Sequence, residues 1–362
     1  MEKAKIIAFY LPQYYPFKEN DEWWGKGFTE WTNLAKARKL FPGHEQPKLP
    51  GELGFYDLRL EETRIAQAEL AKKYGVDGFC YYYYRLNKNL HLMDRPLKEM
   101  YEFGKPDFPF MLCWANHNWE AKDWNSYDSF KSKMLAVQEY GDEEDVKDYF
   151  YEILSYFKDA RYIKVDNCPL FSIYRPLNVP KIENFISIWN KLAKENGFDG
   201  VKFIGYTEEL KFQEKKIREK GVWNITSCRM NAVRHNHSQI KRYIGAGIRY
   251  FLKLPYIISY KKVIKELVSD DERQEDVNPV IMPNWDPSPR RASYVHLWTK
   301  STPDLFGKHL DMVFDVIKNK KNKLVFIKSW NEWGEGNYLE PDRKWQDAYL
   351  KMLKQKREEW GL

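Results

Sequence analysis

The sequence predicts an α/β fold, a single (β/α)8 TIM-type barrel with long βα loops forming an aromatic cleft, and three observations carry that expectation. Eight short apolar runs alternate with helical patterns, as in a parallel sheet closed on itself. Polar and aromatic residues collect just past the carboxyl ends of these runs, where barrel enzymes keep their chemistry. The last run, Leu324 to Ser329, opens directly into Trp330-Asn331-Glu332-Trp333-Gly334-Glu335-Gly336, bringing carboxylates, indoles and glycines together.

The eight runs are Ile6 to Leu11, Gly78 to Tyr84, Pro109 to Trp114, Leu170 to Tyr174, Val201 to Tyr206, Trp223 to Cys228, Pro279 to Pro283 and Leu324 to Ser329. Their near-continuous apolar character is that of strands buried on both faces. Helical patterns fall at Glu61 to Tyr74, Pro96 to Phe103, Glu143 to Phe157, Ile182 to Glu195, Glu208 to Lys220, Ser259 to Leu267, Asp304 to Lys318 and Trp345 to Glu359. No repeat, low-complexity tract or linker divides the chain, so 1–362 reads as one catalytic domain. Within it, 12–60 is a long βα loop, and 230–278 is an insertion of mixed pattern that contains the Ser259 to Leu267 helix.

Composition narrows the function. Aromatic residues make up 17% of the chain, with 14 Trp and 25 Tyr, and many neighbour Asn, Asp, Glu or Gln. Flat rings with polar edges suit sugars, which present apolar C–H faces and hydroxyls that demand hydrogen bonds. The net charge of +7 comes from 59 basic and 52 acidic residues that are interspersed. The densest basic clusters, Lys215-Lys216 and the lysines from Lys318 to Lys323, fall on helix surfaces, so no nucleic-acid partner is expected.

No run reaches the roughly eighteen apolar residues of a membrane helix. The run Ile6 to Leu11 is also too short for the core of a signal peptide. Cys80, Cys113, Cys168 and Cys228 have no C-x-x-C spacing, and reduced thiols in the cytoplasm are the expectation. No feature of the sequence fixes an oligomeric state.

The strand ends and the long first loop supply the expected site. Glu332 and Glu335 are three residues apart, a spacing that would put them on opposite faces of an extended strand. If the chain coils at Gly334 and Gly336, the side chains approach to about 5 to 6 Å, which suits two carboxyl groups acting on one bond. Such a pair splits its pKa values. The plainer reading of Glu-x-x-Glu is an acidic turn, but Trp330, Trp333 and Tyr338 flank this one at a strand end.

The expected substrate-binding residues are Tyr10 and Gln13 after strand one, Glu30 and Trp31 in the long loop, and Tyr83 on strand two. Trp114, Asn116, His117 and Trp119 follow strand three, Tyr206 ends strand five and Trp285 follows strand seven. Asn331, Trp333 and Tyr338 complete the set.

Neither cofactor nor metal is expected. Gly245-Ala246-Gly247 lacks the third glycine of a dinucleotide fingerprint, and no P-loop or Asp-x-Asp pair occurs. His235-Asn236-His237 has no acidic or Cys partner spaced beside it. No glycines mark the nucleophile elbow of a Ser/His/Asp hydrolase.

Four motifs in order give a resemblance over nearly the whole chain. Ala8-Phe9-Tyr10-Leu11-Pro12-Gln13-Tyr14, Gly27-Phe28-Thr29-Glu30-Trp31, Cys113-Trp114-Ala115-Asn116, and Trp330 to Gly336 with Leu339-Glu340-Pro341 resemble the WbsX-like proteins of bacterial polysaccharide loci. Those proteins are named as glycosyltransferases, yet they are similar to glycoside hydrolase family 99, retaining endo-acting α-mannosidases on a (β/α)8 barrel. The resemblance implies that Glu332 acts as base toward a substrate 2-hydroxyl, forming a 1,2-anhydro sugar. It implies that Glu335 protonates the leaving oxygen and then activates water. The ordinary alternative makes one glutamate a covalent nucleophile. At one position the chain departs from the pattern, with His117 where relatives often carry an acidic residue.

Three readings of function follow. The first is a carbohydrate-active enzyme that cleaves a glycosidic bond in a bacterial polysaccharide or mannose-type glycan by retaining acid/base catalysis. The second is a glycosyltransferase of O-antigen or capsule assembly, and the third a non-catalytic glycan-binding barrel.

Overall fold

The computed structural model describes residues 3–122, 132–232, 254–291 and 295–362, and in it eight parallel strands close into a barrel. They are β1 (Lys5–Tyr10), β2 (Gly78–Asn87), β3 (Phe110–Trp114) and β4 (Cys168–Ile173). The circle continues through β5 (Lys202–Thr207), β6 (Asn224–Ser227), β7 (Val277–Ile281) and β8 (Leu324–Ile327). Each strand pairs with its neighbours in sequence, and β8 returns to β1 with Lys5 opposite Leu324 and Ala8 opposite Ile327. Closure leaves this sheet no open edge. All eight runs expected as strands are strands, with small shifts at their ends.

The outer layer follows the amphipathic patterns. Helices Glu61–Lys73, Arg95–Glu102, Glu143–Lys158, Ile182–Glu195 and Leu210–Glu219 follow β1 to β5 in turn, and Pro303–Ile317 and Ala348–Glu359 follow β7 and β8. The Asp142 side chain accepts the Asp145 N–H at 3.0 Å and starts the third of these. Ile182, Phe185, Ile186, Trp189, Leu192 and Ala193 recur at helical spacing and are all buried. Trp189 lies 4.9 Å from the Phe171 ring of β4, and truncating a Trp packed this way costs about 3–5 kcal/mol.

One expected helix is corrected. Ser259 to Leu267 forms a single helical turn, Tyr260–Val263, and then tightens, with Glu266 N–H donating to Val263 C=O instead of one residue further back. Its apolar positions Tyr260, Val263, Ile264 and Leu267 are buried all the same, so the pattern marked burial and not helix length.

Inside the barrel, Phe9 of β1 meets Tyr82 of β2 at 5.3 Å, Tyr206 of β5 at 5.9 Å and Phe326 of β8 at 5.3 Å. This aromatic layer closes the barrel beneath its carboxyl-terminal face. The long loop 12–60 folds over that face with short helices Lys18–Trp24 and Glu30–Lys36. It is pinned where Glu30 N–H donates to Gln13 C=O and Gly51 N–H to Pro341 C=O.

In the stretch 230–278, Tyr256–Ser259 pairs in parallel with His296–Thr299 outside the barrel, and β7 already begins at Val277. His235-Asn236-His237 and Gly245-Ala246-Gly247 lie outside the described residues. Among the described residues no helix is long and apolar enough to cross a membrane, and all four cysteines are free thiols.

Candidate active site

The turn that follows β8 is built by a few clamps. Asn331 Oδ1 accepts the Leu11 N–H at 2.8 Å and its Nδ2 donates to Leu11 C=O at 2.9 Å, locking the end of β8 to the end of β1. The Tyr14 hydroxyl donates to Asn331 C=O and accepts the Trp333 N–H. Ser329 Oγ accepts the Glu332 N–H at 2.8 Å. The chain then coils through one 3₁₀ turn, Trp333–Glu335, as the paired glycines suggested. Gly336 leaves it at φ +64° against Asp286, where a Cβ would sit 2.9 Å from the Asp286 Cβ.

The coil brings both carboxylates to Arg290. Arg290 Nη1 lies 3.0 Å from Glu332 Oε1 and 2.9 Å from Glu335 Oε1, a geometry that holds the two oxygens within about 6 Å of each other. Arg290 Nε is 3.0 Å from Glu30 Oε2, so three carboxylates from two distant parts of the chain surround one guanidinium. Gly334 makes room for this: a Cβ there would fall onto Glu30 Oε2 and 2.7 Å from Arg290 Nε. Lys328 supplies a second buried cation, with Nζ 3.3 Å from the Tyr206 hydroxyl and 3.4 Å from that of Tyr174.

The electrostatics separate the pair. Burial, then the charge of Glu335, pushes the Glu332 carboxyl above its ordinary value. Burial pushes Glu335 up as well, but Arg290, Lys328 and Arg291 outweigh it and hold that carboxyl below its ordinary value. Glu332 Oε2 is buried with no hydrogen-bond partner among the described residues. Burial alone would pull Arg290 down; Glu30, Glu335 and Glu332 keep it charged.

These groups line a cleft of about 980 Å³ at the carboxyl-terminal face. Of the residues expected from the sequence, Gln13, Glu30, Asn116, His117, Trp119, Trp285, Glu332 and Glu335 line it. Gln13 is buried there, and its side-chain amide has no hydrogen bond among the described residues. Asn116 faces the cleft but is engaged by Arg175, accepting its N–H at 2.7 Å and donating to its C=O at 2.9 Å.

The other expected residues lie outside the cleft. Tyr10 points into the helical layer, with its hydroxyl on Gln67 Oε1 at 2.7 Å. Tyr83 reaches outward to Glu152, and Trp114 stacks 5.7 Å from Phe185. Trp31 donates to Tyr56 C=O at 2.7 Å, behind the turn. Trp333 and Tyr338 stack on each other at 3.6 Å, also behind it, and Asn331 is the clamp already described. Tyr206 lies beneath the floor, reaching the site through Lys328.

Strand alternation is the reason for Tyr10, Tyr83 and Trp114, because adjacent side chains face opposite sides of the sheet. Thus Tyr82 and Tyr84 line the cleft where Tyr83 was expected, and Phe9 faces the barrel interior where Tyr10 faces out. Sequence reasoning also missed Tyr174, Arg290 and Lys328. Lys328 carried a signal, a lysine directly after the apolar Leu324–Ile327 strand. Arg290, in the Pro287-Ser288-Pro289-Arg290-Arg291 loop after β7, carried none that distinguished it from Arg291. Among the described residues no group of three or more His, Cys, Asp or Glu side chains is arranged to hold a metal ion.

Comparison with known proteins agrees with this architecture. A family model described as glycosyltransferase WbsX matches residues 6–353. Two proteins named "Uncharacterized protein WxcX", from two strains of Xanthomonas campestris pv. campestris, are 30% identical over 97% of this chain. The match covers 49% of their length, so the chain spans about half the length of these curated relatives. Among solved structures, a "Glycoside hydrolase-like protein" is similar with a TM-score of 0.62 at 16% identity, covering 98% of this chain and 94% of that one. The GH99 endo-alpha-mannosidase from Bacteroides thetaiotaomicron is similar with a TM-score of 0.58 at 13% identity, covering 99% and 97%. At these identities the likeness is one of fold.

Proposed function

The chain belongs to the glycosyltransferase WbsX family, a carbohydrate-active family, and we propose that this member cleaves a glycosidic bond in a bacterial polysaccharide or mannose-type glycan with retention of configuration. The observation that carries the reading is the Glu332–Arg290–Glu335 bridge at a barrel's carboxyl-terminal face. Retaining glycosidases hold their two carboxyl groups about 5–5.5 Å apart and inverting ones about 6.5–9.5 Å. A single guanidinium nitrogen touching both glutamates favours the closer spacing. Tyr82, Tyr84, Trp119, Tyr174 and Trp285 would supply ring faces for the sugar, and Gln13, Glu30 and His117 polar contacts.

In the proposed reaction Glu332 takes the proton of the substrate 2-hydroxyl as that oxygen attacks the anomeric carbon. The glycosidic C–O bond breaks and its oxygen takes a proton from Glu335. Water then adds at the anomeric carbon, giving a proton to Glu335, while the 2-oxygen regains its proton from Glu332. Without substrate Glu332 holds a proton more readily than Glu335, the opposite assignment. A sugar hydroxyl donating to Glu332 and a leaving oxygen beside Glu335 would move it across the pair that Arg290 bridges. Incubating wild type, the Glu332→Gln and Glu335→Gln variants and the double variant with bacterial polysaccharides and α-mannans, with released sugars read by mass spectrometry, tests the reading. Full release by the double variant would remove it.

A glycosyltransferase is the second reading, favoured by the name of the matching family. Thermal stabilisation by a nucleoside-diphosphate sugar, with transfer to a glycan acceptor, would select it over hydrolysis. We place the protein in the cytoplasm, a location that its four free thiols suit.

A further inference from the structure

A second cavity, of about 860 Å³, lies behind the catalytic turn, between the 39–49 segment of the long loop and the residues that follow β7 and β8. Among the described residues none lines both cavities. The wall between them is the contact in which Asp286 N–H donates to Glu335 C=O at 2.7 Å.

The acidic groups here are already satisfied from within. Asp286 Oδ2 is 3.0 Å from His44 Nε2 and accepts from Gln46 Nε2 at 2.7 Å. Asp342 accepts the Tyr338 hydroxyl at 2.7 Å and the Trp345 N–H at 2.6 Å. Glu340 accepts from Trp333, Gln67 and Tyr56, and Glu45 is paired with Lys344.

The cations are not matched in this way. Among the described residues Lys39, Lys48, Lys300 and Arg343 line the cavity with no carboxylate partner. Three are exposed at the mouth, where water serves them. Lys48 is half-buried, with Nζ 5.5 Å above the ring of Tyr338 and no hydrogen bond from its ammonium to any described residue. Burial pulls that ammonium below its ordinary value, against the more distant charges of Asp286, Asp342 and Glu45. The ammonium faces the cavity beside the Tyr338 ring with no carboxylate among the described residues paired to it, and an incoming anion would give it a charge-assisted hydrogen bond. Trp345 and Tyr349 add ring faces to the same wall.

We propose that this cavity is a second ligand site, separate from the glutamate pair, for a small anionic ligand whose phosphate or carboxylate meets Lys48 and whose ring lies against Trp345 and Tyr349. The exposed cations at the mouth draw the anion in. The ligand would bind against the back of the Asp286–Glu335 contact.

Calorimetric titration of the full chain with uridine diphosphate, glucuronate and glucose tests the site. Wild type should bind one or both anions at least about tenfold more tightly than glucose, with affinity falling as salt rises. Binding of the diphosphate alone identifies a phosphate ligand, and of glucuronate alone a carboxylate. Lys48→Met, which keeps the aliphatic stem, should weaken the anion about tenfold or more, while Glu332→Gln leaves it unchanged. Should Lys48→Met fail to fold, the exposed pair Lys300→Gln with Arg343→Gln should lower the affinity and its salt dependence together. The proposal is overturned if no anion binds at about 10 mM, if glucose binds equally well, or if the loss follows Glu332→Gln instead of Lys48→Met.

Discussion

Glu30 Oε2 accepts a hydrogen bond from Arg290 Nε at 3.0 Å, joining the helix of the first loop to the loop after β7 across 260 residues of sequence. The same guanidinium reaches Glu332 and Glu335, so the charge state of the site depends on a residue outside the glutamate motif.

Replacing Arg290 by Gln should therefore act in two ways. Removing one partner of a buried ion network costs on the order of 3 kcal/mol, and loss of a preorganised cation in the site lowers kcat/KM by about 10²-fold or more. A cation favours ionised carboxyls, so its loss raises the pKa values of both glutamates. Both limbs of the pH–rate profile should move to higher pH, which a purely structural lesion would not produce.

Glu332→Gln and Glu335→Gln should separate by leaving group. With a natural glycan each should lose about 10²–10⁴-fold in kcat. With a glycosyl fluoride, which needs no proton on departure, Glu335→Gln should retain most of its first-step rate and Glu332→Gln should not. The reverse pattern would make Glu332 the proton donor, in line with its raised pKa in the absence of substrate.

Gly334→Ala should impair the site without unfolding the barrel. The new methyl collides with Glu30 Oε2 and with Arg290, in a turn whose other clamps remain. Activity should fall about tenfold or more, while the melting temperature moves by only a few degrees.

Glu340 offers a stability test. Burial pushes its carboxyl up to about 7, against hydrogen bonds from Trp333, Gln67 and Tyr56. The folded state therefore binds this proton more tightly than the unfolded chain does. The stabilisation is fully present below the ordinary glutamate pKa and is lost as pH rises through about 7. The loss is at most about 3 kcal/mol. In Glu340→Gln, the difference in melting temperature from wild type should shrink or change sign as pH is raised from about 5 to about 8. An unchanging difference across that range would show that Glu340 does not titrate there.

Much of this architecture was legible in the chain itself. Continuous apolar runs such as Leu324–Ile327 reveal strands because a strand covered on both faces needs apolar side chains at every position. Helices such as Ile182–Glu195 show their spacing for the corresponding reason. The Asn331-Glu332-Trp333-Gly334-Glu335-Gly336 string locates the acidic pair because its coil is local, set by two glycines within a few residues.

What the sequence alone did not decide was direction and company. Whether Tyr82 or Tyr83 faces the cleft depends on the register of β2 against β1 and β3, and a shift of one residue exchanges the two faces. Asn331 reads as a binding residue until Leu11 is seen between its two amide atoms. Arg290 gives no local sign of its role, because the carboxylates that hold it come from β8 and from a loop 260 residues away. The sequence by itself determined the barrel and the glutamate pair, because short-range periodicity and turn chemistry encode them. Only the tertiary structure decided which side chains line the cleft and which cation sets their charge, because both follow from contacts made when the barrel closes.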